Sequence, residues 1–167
     1  MDTIIIGIGN PVLTDDGVGL KIAECLRDRL RGRPGVVVTQ LCCGGINLME
    51  AMAGHGRAIV IDAMTGGGGS PGTLYALGPA GLFESRNTWS SHDATLAVAM
   101  ELGQAVGLRL PADIRIWAVE AHDVSTFSED LTPEVLRAVP LVVEDVVREL
   151  DASAPASAPG HSGRGTA

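Results

Sequence analysis

The chain has 167 residues, 46% of them hydrophobic and only 3% aromatic, with a formal net charge of −8. That length allows one domain with a real core of Val, Ile, Leu and Ala. The acidic balance argues against nucleic acid and anionic membranes, both of which select basic surfaces. The apolar runs are far short of a bilayer span, and the start is not a basic, apolar, cleavable leader. Three cysteines, two of them adjacent (Cys42, Cys43), make no disulfide framework. A cytoplasmic, monomeric protein is expected.

Two hydrophobic periods alternate along the chain. Thr3 to Gly9 reads as a buried strand, and Gly17 to Leu30 as a helix with Val18, Ile22, Cys25, Leu26 and Leu30 on one face. Val36 to Leu41 is a second strand, Ile46 to Ala53 a short helix, and Arg57 to Ala63 a third strand carrying Asp62 near its end. Gly66 to Gly72 reads as a flexible loop, followed by a short edge strand from Thr73 to Leu77. Ser91 caps a helix to about Val106 that offers Leu96, Met100 and Leu102 to the core. Ile114 to Val119 is another strand. Thr132-Pro133-Glu134 is a cap followed by proline at the first helical position, and Pro140 should kink or break the helix that runs on to Leu150.

Strands alternating with helices predict an α/β three-layer sandwich, a mostly parallel twisted sheet of about five strands with helices on both faces. Residues 1–150 form the single domain. From 151 to 167, Ala, Ser, Pro and Gly dominate, and a disordered tail is expected.

In an open α/β sheet, ligands gather beyond the carboxyl ends of the strands. Asp16 follows the first strand, Asp62 ends the third, and His92 starts a helix, so all three can reach that edge. Two carboxylates and an imidazole suit a borderline divalent metal with positions left open. Each has a plainer alternative: Asp15 or Asp16 as a cap of the first helix, His92 as an exposed loop histidine. Asp62 is harder to dismiss, since an acid closing an apolar run is costly unless paired.

Other patterns fail on their residues. Gly7-Ile8-Gly9-Asn10-Pro11-Val12 lacks the third glycine of a dinucleotide turn, and the only lysine, Lys21, lies inside the helix rather than at a phosphate loop. Gly68-Gly69-Ser70-Pro71-Gly72 matches a nucleophile elbow in letters only, because it leads from a glycine loop into a strand. Cys42 and Cys43 read as small buried core residues. His122-Asp123 either contacts the substrate, supports the residues that do, or caps its own loop.

The chain resembles the hydrogenase maturation proteases, endopeptidases that trim the large subunit of nickel–iron hydrogenases. The resemblance rests on Gly7-Ile8-Gly9-Asn10 with Leu13, Asp15, Asp16, Gly17 and Gly19, then Asp62-Ala63, Ser91-His92, and Leu131-Thr132-Pro133-Glu134-Val135. It implies that Asp16, Asp62 and His92 occupy the family's metal positions, the first of which is often glutamate. It departs at Leu41-Cys42-Cys43-Gly44-Gly45, where many members carry an aspartate-glycine-glycine-threonine loop, and at Val119-Glu120-Ala121-His122-Asp123.

The implied substrate is a large-subunit precursor holding nickel at cysteines near its C-terminus. Nickel is thus supplied by the substrate, and no nucleotide cofactor is expected. Asp16, Asp62 and His92 would contact the metal, which acts either as a Lewis acid or only as a recognition handle, with Asp16 or Asp62 activating water to release a C-terminal extension. Gly44, Gly45, His122 and Asp123 are the expected substrate contacts. The alternatives are a non-catalytic metal-binding chaperone for the same precursor, and a nucleotide- or small-molecule-binding α/β domain using Gly7 and Gly9.

Overall fold

A computed structural model describes residues 2–42, 44–78 and 93–153. In chain order the elements are β1 (Thr3–Ile8), a 3-10 turn (Thr14–Gly17), α1 (Val18–Arg29), β2 (Val36–Leu41), α2 (Ile46–Met52), β3 (Arg57–Met64), β4 (Leu74–Leu77), α3 (Asp93–Ala105), β5 (Asp113–Glu120) and α4 (Pro133–Ala152). The five strands form one sheet in the order β2-β1-β3-β5-β4. Four run parallel, and β4 joins the far edge antiparallel to β5. The expected α/β layering and the edge position of the short strand are both present.

The layering follows from the two faces of the strands. Every residue of β1 and of β3 is buried, as central parallel strands require. Ile5, Ile59 and Ile61 pack with Ile22 and Leu26 of α1 and Val139, Val142 and Val146 of α4. On the opposite face Ile4, Ile6, Ile8, Ala58 and Val60 pack with Leu48 and Met52 of α2, and Met100 of α3 joins from the side.

Glycine decides how closely α1 approaches the sheet. A Cβ on Gly7 would run into the carbonyl of Gly19, and one on Gly19 into the carbonyls of Ile8 and Ile61. The helix therefore lies directly on β1 and β3, and its first turn stands over their carboxyl ends.

Several local expectations are corrected. Pro140 does not break α4, which continues to Ala152. The proline faces solvent, so the carbonyl left without an amide partner is on the wet side, while Val135, Val139, Val142 and Val146 hold the other face in the core. Leu102, expected in the core, is half exposed on the outer side of α3. Cys42 is exposed rather than buried, because β2 is a sheet edge and only partly covered. The Gly66 to Gly72 segment is held by hydrogen bonds rather than loose. Glu120 accepts from the amides of Gly66 (2.8 Å) and Gly67 (3.0 Å), and the Tyr75 hydroxyl accepts from Gly69 (2.8 Å). Leu96, Ser91, Cys43 and the tail from 154 lie outside what is described of side chains or backbone.

At the amino end of the sheet, Arg57 is only 5% exposed and sits between Asp113 (2.9 Å) and Glu149, tying β3 to β5 and α4. Removing the cation strands two carboxylates that keep partial access to water. Arg57→Ala should therefore cost about 2 kcal/mol, below the range for a fully buried pair. A urea midpoint equal to that of the wild type would contradict this.

Candidate active site

The strand order reverses between β1 and β3. From β1 the chain moves outward to β2, then crosses to β3 on the other side. Such a switch point leaves a crevice beyond the carboxyl ends of the two strands. The segment after β1 and the last residues of β3 border it, and they carry Asp16 and Asp62.

Asp16 belongs to the 3-10 turn, which packs on β3. The turn is folded tightly back onto β1: a Cβ on Gly9 would collide with the Asp16 carbonyl, so only glycine allows this approach. The Asp16 carboxylate is partly exposed, and its Oδ2 accepts from the Asn10 amide at 2.7 Å. Asn10 thus orients the acid while leaving its other oxygen for a ligand or a proton. Neither Asp15 nor Asp16 caps α1, whose N-cap is Gly17 with no side-chain cap bond.

Asp15 has a different task. It is 0% exposed, and its carboxylate accepts from the amides of His122 (2.9 Å), Asp123 (3.0 Å) and Thr132 (2.7 Å). The Thr132 hydroxyl adds a further bond at 2.9 Å to Oδ2. These donors offset the desolvation of a buried charge. They also explain why Thr132, at the N-cap of α4, makes no cap bond of its own. The Asp15 carboxylate thereby locks the Asp16 turn to the segment between β5 and α4.

Asp62 lies two residues before the end of β3, paired in register with Ala118 of β5. It is 1% exposed, and its Oδ1 accepts from the Ala63 amide at 2.8 Å. His92 lies outside the described residues; α3 begins at the next one, Asp93. Gly44 is partly exposed, and Gly45, with φ 61°, is the buried N-cap of α2 beyond β2. The positive φ there is a conformation glycine adopts at little cost.

His122 is exposed, and its main-chain amide is committed to Asp15. Asp123 closes its own loop, accepting from the Ser125 amide (2.9 Å), the Ser125 hydroxyl (3.0 Å) and the Thr126 amide (3.0 Å). Hydrogen bonds from Thr126, then Ser125, hold its carboxyl well below the usual carboxylate range. The loop-cap alternative therefore describes what Asp123 does within the fold.

Among the described residues, no three His, Cys, Asp or Glu side chains form a metal-holding group. Sequence reasoning also missed the roles of Asp15 and of Glu120. The first was visible only as one half of an acidic pair. The second could have been suspected from a carboxylate ending the strand Ile114 to Val119 opposite a glycine loop.

Together these features define a class: a doubly wound α/β protein whose switch-point crevice is bordered by carboxylates rather than by a phosphate-binding turn. Comparison with known proteins narrows it. A family profile described as hydrogenase maturation protease matches residues 20–149, a span that includes Asp62 and His92. Hydrogenase 2 maturation protease of Escherichia coli (strain K12) is 31% identical over 77 residues, 46% of this chain and 47% of that protein, so the match spans about half of that relative. Protein FrxA of Pyrococcus furiosus is 30% identical over 146 residues, 81% of this chain and 97% of its own. The solved structure of the hydrogenase maturating endopeptidase HybD from E. coli superposes with a TM-score of 0.78 at 26% identity, covering 92% of this chain and 94% of that one. The [NiFe] hydrogenase maturation protease HybD from Thermococcus kodakarensis gives 0.72 at 25% identity, covering 90% and 99%. The chain belongs to the hydrogenase maturation protease family.

Proposed function

We propose that this chain is an endopeptidase that recognises nickel in the precursor large subunit of a nickel–iron hydrogenase and removes its C-terminal extension. The observation that carries the reading is the pair of carboxylates bordering one crevice: Asp16, oriented by Asn10, and Asp62, out of bulk water at the end of β3. Oxygen ligands of this kind, with the imidazole of His92, suit a borderline divalent metal already held by substrate thiolates.

Nickel enters as part of the substrate. Its contact with Asp16, Asp62 and His92 sets one peptide bond of the precursor at the crevice. Asp16 or Asp62 accepts a proton from the attacking water, whose oxygen bonds to the scissile carbonyl carbon. The same proton passes to the leaving nitrogen as the C–N bond breaks, giving a new C-terminal carboxylate and a free amino terminus on the released peptide. Gly44 and Gly45, beyond β2, and His122, beyond β5, are assigned to substrate contact, and Asp123 joins them only through the part of its carboxylate that does not close its own loop by Oδ1. No nucleotide takes part: the turn after β1 presents acids and lacks the cations and third glycine that phosphates need. No described helix is long and apolar enough to cross a membrane.

The test is intact-mass spectrometry of a matching precursor, nickel-loaded and nickel-free, incubated with the protein. Loss of one discrete C-terminal mass from the nickel-loaded sample alone is the expected result. An uncut precursor that still binds the chain would support a non-catalytic metal-binding chaperone instead.

A further inference from the structure

The loop between β5 and α4 carries the most exposed large apolar side chain of the described residues, Phe127, at 82%. Single exposed apolar residues are ordinary on protein surfaces. This one differs in how it is held. Asp123 closes the loop on its amino side through Ser125 and Thr126. On both sides of Phe127 the loop is tied to the turn that carries Asp16: the Thr14 hydroxyl donates to the Thr126 carbonyl (2.6 Å) and the Thr14 amide to the Ser128 carbonyl (2.9 Å). The Ser128 amide returns a bond to the Val12 carbonyl at 3.1 Å, completing a bridge between the two segments.

Thr14 makes these bonds from φ 46°, the only positive φ among the described non-glycine residues. A threonine there is strained, and the strain persists only because the surroundings hold it. The fold thus ties the main chain on both sides of Phe127 to the Asp16 turn, yet leaves the side chain 82% exposed. Val12, whose carbonyl takes the bond from the Ser128 amide, is exposed as well.

We infer that Phe127, with Val12 beside it, is a docking anchor for the precursor large subunit, inserting into an apolar recess on the protein face next to the segment to be cut. This rests on the reading of the chain as the precursor's endopeptidase. Rigid aromatic side chains presented without an ordering cost are the usual anchors of protein interfaces. Because hydrogen bonds join the loop to the Asp16 turn, seating the ring also sets the distance between the precursor and the carboxylates.

Two readouts test the assignment: dissociation constants for the nickel-loaded precursor, and steady-state cleavage of it. Phe127→Ala should weaken binding and raise KM by about tenfold or more, with kcat unchanged. Phe127→Leu should recover most of the loss, Val12→Ala should cost less, and thermal stability should not move. Unchanged binding and KM, or a lower kcat at constant KM, would overturn the anchor. So would a Phe127→Ala chain that loses self-association instead, since the occupant would then be a second copy. A wild type that binds but does not cut sinks the endopeptidase reading and leaves the binding comparison to decide on Phe127. No binding by the wild type overturns both.

Discussion

Asp16→Asn should leave the fold intact and reduce precursor processing by roughly a thousandfold, the scale on which a general base or charged ligand acts. The substitution keeps the shape of the side chain. An asparagine oxygen can still accept from the Asn10 amide, now 2.7 Å from Asp16 Oδ2, so the 3-10 turn keeps its closing bond. The change in stability should stay within about 1 kcal/mol, since one neutral hydrogen bond replaces one to a charged acceptor. What disappears is the negative charge and the free oxygen at the crevice, which both metal contact and proton acceptance require. A time course of precursor mass, beside the circular dichroism melt of the same sample, separates the effects. Full activity with an unchanged melt would remove Asp16 from the mechanism.

The second large effect is on stability, and its sign opposes helix propensity. Gly19 lies in the first turn of α1, and replacing a helical glycine by alanine normally gains up to about 1 kcal/mol. Here the added Cβ would meet the carbonyl oxygens of Ile8 and Ile61. Both belong to or directly adjoin the buried central ladder of β1 and β3, where strands cannot give way without breaking pairing. The helix must lift instead, pulling Val18 and Ile22 from the core and shifting the Asp16 turn. Gly19→Ala should therefore destabilise by about 3 kcal/mol, at the upper end of overpacking costs. Chemical denaturation measures this directly, and a gain in stability would show that α1 does not rest on the strands at this distance.

Much of the architecture was legible without coordinates. The apolar runs of β1, β3 and β5 and the one-sided periodicity of α1 are local signals, and they located the elements to within a residue or two. Asp62 was conspicuous for a related reason, as an acid closing the apolar run Ala58-Ile59-Val60-Ile61. The placement of Asp16 at the carboxyl edge followed from strand–turn–helix order alone. The errors share one cause. Residue type alone misleads for Pro140, Leu102, Cys42 and the glycine loop, because their states depend on which side of an element faces solvent and on a partner far along the chain. Glu120 binds the amides of Gly66 and Gly67 across more than fifty residues, so a carboxylate ending one strand and a glycine loop can hint at the pairing, but only the fold brings them together.

The acidic pair Asp15-Asp16 marks the boundary between the two kinds of information. By itself the sequence determined the periodicities that make the elements, the alternation that makes the sheet parallel, and the presence of carboxylates where the first strand gives way to a helix. Only the tertiary structure decided that the two neighbours have opposite fates. Asp15 turns inward, 0% exposed, to bind His122, Asp123 and Thr132, while Asp16 stays partly exposed with the Asn10 amide on its carboxylate. The physical reason is that a buried carboxylate is tolerable only where several donors converge on it, and those donors are contributed by segments more than a hundred residues away.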